Sequence, residues 1–216
     1  MLVDDDPEVF DAYLNCVYFG IEMLRDGNGR YAHLAGETEP ESSDGEDEND
    51  SDSDDESVAT DEKVRAIEAV ANEQYKTLTA VHVLAAKLQD PETANMATDE
   101  ILRIQDLLLT LPNKETTNFV YESTTRKSHL RMLIRDFWLH HTSEIGESKY
   151  ILEGGYPAEL SQEIVSEYLR IKKRCKCTSK KKGCFCFDKW PCMNQDKCHY
   201  HMHDEQYPRC TPKPDT

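Results

Sequence analysis

The sequence predicts a predominantly α-helical fold, because apolar side chains recur at helical spacing in several segments of the chain. Proline and aspartate stand at the starts of these segments, as they do at helix N-termini. No long alternating pattern typical of a β-strand is evident, and no internal repeat is present. The 216 residues give room for one domain with appendages.

The first predicted helix begins at Pro7, with Asp6 placed to cap it and Gly20 as its expected end. Apolar residues at i, i+3, i+4, i+7 and i+8 form one stripe along this helix: Phe10, Tyr13, Leu14, Val17 and Tyr18. Such a stripe needs a partner surface. We therefore predict these five side chains as interaction residues.

Residues 26–62 form a predicted disordered insert. Fourteen acidic residues and no basic one lie between Glu37 and Glu62, and they supply most of the formal net charge of −17. Self-repulsion and the lack of apolar residues favour disorder. The insert is interpreted as a solvated spacer, with a segment that binds a basic partner as the alternative.

Helical periodicity resumes at Lys63 and continues to about Leu88, with an expected break near Gln74 and Tyr75. Asp90 and Pro91 end this helix and open the next one with a cap and a proline.

The helix that begins at Pro91 is expected to end at Pro112. Two further helices are predicted after it. One carries apolar residues at 130–138 with Ser128 near its cap, and the last begins at Pro157. The predicted segments are therefore 1–25, 26–62, 63–111, 112–174 and 175–216.

Several stretches resemble one family of interaction domains. Residues 4–20 contain the pattern D-D-P-x-x-F-x-x-x-L-x-x-x-Y-x-G, and residues 81–104 contain V-L-A-A-K-L-Q-D followed by T-A-N and D-E-I. Shorter matches lie at residues 122–133 and at residues 198–204 with Cys210. Outside the acidic insert, these matches make most of the chain similar to the short BTB/POZ proteins of filamentous fungi.

The resemblance implies an α+β, predominantly helical domain that associates with protein partners. In that family residues 81–104 correspond to a helical hairpin. Most of the sheet, the principal dimer helix and the loop that approaches a cullin-type ubiquitin ligase scaffold precede the pattern at residues 4–20 in that family. We therefore expect a BTB/POZ-like domain without its N-terminal half, a helical extension and a Cys/His-rich tail. Homotypic or heterotypic protein association, as a self-association module or an adaptor, is the expected function, and the missing loop counts against cullin binding.

The tail at residues 175–216 is rich in side chains that bind metal ions. Ten candidate ligands lie close together in sequence: Cys175, Cys177, Cys184, Cys186, Cys192, Cys198, His199, His201, His203 and Cys210. Zinc prefers thiolate and imidazole, usually four in a tetrahedron, and it would add folding energy to a segment with little core. Zinc is therefore the candidate cofactor, although the C-x-C pairs differ from the usual C-x₂₋₄-C spacing.

Metal-free interpretations of the tail remain open: redox-sensitive or unstructured thiols, or cysteines that pack as small apolar residues. Disulfides are disfavoured in the reducing cytoplasm or nucleus, where we expect a chain without a secretory signal. Eight basic residues between Arg170 and Lys182 suggest nucleic-acid contact, but the anionic protein as a whole repels phosphate. A zinc-binding tail in nucleic-acid or chromatin contact is the alternative function.

No motif of a common enzyme class is present: the sequence has no G-x-x-x-x-G-K-[ST], G-x-G-x-x-G, G-x-S-x-G or H-E-x-x-H. Cys16 lies among apolar residues and is interpreted as a packing residue. No window has the roughly 20 apolar residues that span a bilayer. We therefore expect a non-enzymatic protein of the cytoplasm, the nucleus or both, without a membrane segment.

Overall fold

A computed structural model describes residues 6–24, 55–145, 154–174 and 197–203. These residues form six α-helices and no β-strand. The prediction of a predominantly helical chain is confirmed, whereas the β component implied by the family resemblance has no counterpart in these ranges. Within them, no helix is both long and apolar enough to cross a membrane.

Helix α2 is the longest helix and contacts three of the others. The six helices are α1 (Pro7–Phe19), α2 (Asp55–Lys87), α3 (Pro91–Leu108), α4 (Lys114–Ser123), α5 (His129–Ile145) and α6 (Ala158–Arg174). Short 3₁₀ helices cover Ile21–Leu24 and Lys197–His199. Helices α1, α3 and α4 contact α2, α5 contacts α4, and α6 packs on α5.

Two predicted N-caps are confirmed by hydrogen bonds. The Asp6 carboxylate accepts from the Glu8 backbone N–H at 2.9 Å at the start of α1. The Asp90 carboxylate accepts from the Thr93 backbone N–H at 3.1 Å at the start of α3. Gly20 ends α1 as predicted, at a φ of +85° that an L side chain rarely adopts.

Helix α2 corrects two predictions. It runs unbroken through Gln74 and Tyr75, because Tyr75 is buried on the core side and its hydroxyl donates to the Thr110 carbonyl at 2.9 Å. It also begins at Asp55 rather than at the predicted Lys63, so the helix includes the last residues of the predicted insert 26–62. Acidic residues favour the N-terminal end of a helix, which explains why the helix extends into the acidic run. Residues 25–54 lie outside the described part of the chain.

Helix α4 was not predicted from the sequence. Its Asn113 side chain caps it by accepting from the Thr116 N–H at 2.9 Å, and the Asn113 N–H donates to Oδ1 of Asn72 in α2 at 2.9 Å. The buried face contains two threonines, Val120 and Tyr121 rather than an apolar stripe, so hydrophobic periodicity gave little signal.

One hydrophobic core joins helices α2 to α6. It includes Tyr75 and Ile101 from the predicted segment 63–111, and Leu133 and Leu160 from the predicted extension 112–174. Tyr200 of the tail is fully buried in the same cluster. The predicted segments 63–111 and 112–174 therefore share a core.

Candidate functional site

Helix α1 is anchored to the body through Cys16 and Tyr13. Cys16 is buried in a small cluster with Val81 of α2 and Ala97 of α3, in agreement with its interpretation as a packing residue. The Tyr13 hydroxyl donates to Oδ2 of Asp90 at 3.0 Å, beside the turn between α2 and α3. Burial raises the pKa of the Cys16 thiol to about 11, so the thiol stays protonated at neutral pH.

The predicted apolar stripe of α1 is therefore turned partly to solvent. Tyr13 and Leu14 are half-buried, whereas Phe10, Val17 and Tyr18 are exposed to 39%, 45% and 74%. Exposed apolar side chains continue beyond the stripe at Phe19 and Met23. We call the exposed set the α1 surface: Phe10, Val17, Tyr18, Phe19 and Met23.

Four of the ten candidate metal ligands lie in the described part of the tail. Sγ of Cys198 is 3.1 Å from Nε2 of His203, so these two side chains meet as a thiol–imidazole pair. His201 is buried and its Nε2 lies 3.2 Å from Oδ1 of Asp99 in α3. His199 is exposed and packs edge-on against Tyr200, with ring centroids 4.8 Å apart.

The fit to zinc rests on one pair of donors. Among the residues that the structure describes, no three His, Cys, Asp or Glu side chains converge as a metal site would require. Cys198 and His203 offer one sulfur and one nitrogen, which matches half of a tetrahedral zinc set. The other six predicted ligands fall outside the described ranges: Cys175, Cys177, Cys184, Cys186, Cys192 and Cys210.

Ordinary protein contacts hold residues 198–203 against the helices. The Asn95 side chain of α3 makes two hydrogen bonds with the Met202 backbone, donating to its carbonyl at 3.0 Å and accepting from its N–H at 2.7 Å. The Tyr200 hydroxyl donates to Oδ2 of Asp136 in α5 at 2.9 Å. The position of this segment is therefore specified by α3 and α5.

Sequence reasoning missed this docking arrangement and the buried charges beneath it. Asp136 falls within the apolar stripe of α5, three residues after Leu133, and Glu163 sits three residues after Leu160 in α6. Both carboxylates are buried. A charged residue at a core position predicts a buried polar partner, so the signal was present, although the partner could not be read from spacing.

Comparison with known proteins found no match to this chain among family models, curated proteins or solved structures.

Proposed function

We propose that this protein is a non-enzymatic association module of the BTB/POZ type, and that it self-associates through the α1 surface. The observation that carries the proposal is the exposure of Phe10, Val17 and Tyr18 on a helix that is otherwise anchored by Cys16 and Tyr13. A helix held in place by buried contacts therefore presents apolar side chains to solvent, as a protein-docking surface does.

The physical argument for an occupant is the hydrophobic effect. Each large apolar side chain moved from water into an interface contributes on the order of 1.5–3 kcal/mol. Contiguous exposed apolar patches on globular proteins commonly mark interaction sites. Helix α1 carries carboxylates but no lysine or arginine, so an apolar contact between two copies suits it better than a contact based on opposite charges.

The family resemblance supports protein association, although the family's principal dimer helix precedes the pattern at residues 4–20 and is not part of the α1 surface. The pattern at residues 4–20 coincides with α1, and the pattern at residues 81–104 spans the turn between α2 and α3, where the family has a helical hairpin. Self-association is the property that this family would contribute. A role as an adaptor for a cullin-type scaffold stays a prediction of the resemblance alone.

The experiment is sedimentation velocity over a range of protein and salt concentrations. We expect a reversible oligomer whose dissociation constant changes little with salt, because the contact is apolar. Val17→Asp should weaken association at least about tenfold, the equivalent of losing one buried valine contact. Val165→Asp is the matched control, since Val165 is exposed to 57% on α6.

The proposal predicts a difference between the two valine variants. A wild-type protein that stays monomeric at all concentrations would contradict it, and so would equal loss of association in Val17→Asp and Val165→Asp. Circular dichroism establishes that both variants are folded before their association is compared.

A second function is a zinc-binding tail, favoured by the contact between Cys198 and His203. Metal analysis of protein purified without chelator should give near-stoichiometric zinc, reduced by Cys198→Ala and unchanged by Cys16→Ala. A folded tail without metal would remove this candidate. Nucleic-acid contact by the same tail requires salt-sensitive retention on nucleic acid that is lost on charge reversal at Lys180, Lys181 and Lys182.

A further inference from the structure

Two neighbouring cavities in the helical body differ in their acidic residues. The first, of about 370 Å³, lies between α1, α2 and α4 and is lined by the carboxylates of Asp6, Glu8, Glu73 and Glu115 together with Lys76 and Lys87. The second, of about 420 Å³, shares Val83, Lys87 and Ser123 with it. Among the described residues, no aspartate or glutamate lines this second cavity.

The absence of carboxylates there contrasts with the composition of the chain. Aspartate and glutamate number 42 against 25 lysines and arginines, and they outnumber the basic residues even outside the run between Glu37 and Glu62. The wall of the second cavity instead carries Lys87, Lys127 and three histidines, His82, His129 and His203. We call this space the basic cavity.

The loop between α4 and α5 supplies much of the wall. Thr125, Lys127 and Ser128 line the basic cavity, and they lead directly into His129, the first residue of α5. The first turn of a 17-residue helix therefore borders the cavity with its positive end. Hydroxyl groups, a lysine and a helix N-terminus together supply the hydrogen-bond donors and positive charge that bind oxyanions.

His82 forms a neutral floor to the cavity. Its Nδ1 donates to the Ala94 carbonyl at 3.0 Å, and burial lowers its pKa to about 4. In this tautomer Nδ1 carries the hydrogen and Nε2 is an unprotonated acceptor. His82 is therefore neutral and contributes no positive charge. The cationic character of the cavity therefore comes from the lysines and the helix terminus, on the side formed by the α4–α5 loop.

We propose that the basic cavity binds a tetrahedral oxyanion, either free phosphate or the phosphate group of a phosphomonoester, on Lys127, Ser128 and the first turn of α5. Pockets that bind small organic ligands start at about 300 Å³. The cavity can therefore hold a phosphate group with a small organic part. Since the protein as a whole is anionic, the affinity must come from contacts inside the cavity rather than from long-range attraction.

Isothermal titration calorimetry with sodium sulfate, sodium phosphate and capped phosphoserine tests the proposal, with sodium chloride holding ionic strength constant. We expect saturable binding of sulfate and phosphate with one site per chain. Tighter binding of capped phosphoserine than of phosphate identifies a phosphorylated residue as the ligand, and the reverse order identifies the free anion.

Substitutions at Lys127 localise the site. Lys127 is exposed in the loop, so Lys127→Gln should leave the fold intact while weakening sulfate binding about tenfold, as the loss of one charge-assisted hydrogen bond predicts. Lys127→Arg should retain binding. Lys173→Gln, an equal change of charge at an exposed position of α6, should have no effect.

Three results would overturn the proposal. One is the absence of saturable sulfate and phosphate binding to the wild-type protein. Another is an equal loss of binding in Lys127→Gln and Lys173→Gln, which would show non-specific attraction. The third is binding of Zn²⁺ that depends on His129 without any binding of sulfate, which would make the cavity a metal site.

Discussion

Tyr200 donates its hydroxyl hydrogen to Oδ2 of Asp136 at 2.9 Å, and both side chains are buried. The bond ties the C-terminal tail to α5, although the two residues are 64 positions apart. Burial raises the pKa of Asp136, and the Arg135 guanidinium and the Tyr200 hydroxyl only partly offset this effect. Tyr200 and the described residues around it, 197–203, thus pack as part of the helical body.

Tyr200→Phe should lower the free energy of unfolding by about 1–3 kcal/mol, because it leaves a buried carboxylate oxygen without its donor. Urea unfolding followed by circular dichroism measures the change. Tyr18→Phe is the matched control, since Tyr18 is exposed to 74% and should change stability little. A Tyr200→Phe protein as stable as the wild type would show that the tail does not contribute to the core in solution.

A second buried network joins α4, α5 and α6. Glu163 accepts from the Tyr121 hydroxyl and from Nη2 of Arg131, both at 2.9 Å, and the Arg131 guanidinium lies 4.0 Å from the centre of the Tyr121 ring. Glu163 and Arg131 are both buried, so the Arg131 charge depends on Glu163 for compensation. Glu163 has a second, more distant partner in the exposed Arg126 guanidinium at 3.6 Å.

Removing one member of this pair should cost more than removing both. Glu163→Leu should destabilise the protein by about 3–5 kcal/mol, since it leaves the buried Arg131 guanidinium without its carboxylate. Arg131→Met should cost less, because Arg126 remains 3.6 Å from the Glu163 carboxylate. The double variant should lose much less than the sum of the two. A double-mutant cycle from urea unfolding gives the coupling energy, and strict additivity would contradict the contact.

The parts of the fold that the sequence predicted well are those with local signals. Helices α1 and α3 carry a capping aspartate followed by proline, and α5 and α6 have clear apolar stripes. Helix α4 was missed because two threonines, Thr116 and Thr117, lie on its buried face and interrupt the hydrophobic pattern. The Thr117 hydroxyl donates to the Pro112 carbonyl. The start of α2 was missed because acidic composition was interpreted as disorder, although acids also suit a helix N-terminus.

The candidate sites were harder to predict because they depend on non-local packing. Helix α1 carries apolar residues on more than one side, and only the contacts of Cys16 decide that Val17 faces solvent. The basic cavity combines His82 of α2 with Lys127 of a loop that lies 45 residues later in the sequence. No spacing rule relates such positions, so the lining of this cavity could not be predicted from the sequence.

Asp90 forms hydrogen bonds with residues of both α1 and α3, and its pKa shift predicts that the stability of the fold depends on pH. Burial alone would raise its pKa, but hydrogen bonds from Thr93, Tyr13 and the Glu92 backbone outweigh burial and lower it. The folded protein therefore binds this proton less tightly than the unfolded chain does. The stabilisation is complete above the ordinary pKa of an aspartate, and it is lost as pH falls through the depressed value.

Asp90→Ala should accordingly reduce the free energy of unfolding by about 1 kcal/mol at neutral pH, as the loss of a helix N-cap does. The difference from the wild type should shrink in acid, where the wild-type carboxylate is protonated. Asp6→Ala is the comparison, because Asp6 caps α1 at an exposed position without a tyrosine partner. Because Asp90 also accepts a hydrogen bond from Tyr13 of α1, amide hydrogen exchange in α1 should be faster in Asp90→Ala than in the wild type. If Asp90 only capped α3, exchange in α1 would not change.

Cys16 and Cys198 should differ in reactivity. Burial raises the pKa of Cys16 to about 11, so little thiolate forms at neutral pH, and the side chain is covered by α2 and α3. Maleimide labelling, followed peptide by peptide with mass spectrometry, should modify Cys16 only at the rate at which α1 opens. Half-buried Cys198 should react faster in metal-free protein.

Zinc separates the two cysteines further. If Cys198 and His203 supply ligands, added Zn²⁺ should slow labelling of Cys198 and leave Cys16 unchanged, because a metal-bound thiolate is protected whereas the opening of α1 is independent of the tail. Equal protection of both cysteines would indicate that the metal stabilises the whole fold through Tyr200 and the core. Labelling of Cys16 as fast as in the urea-unfolded chain would instead show that α1 is detached in solution.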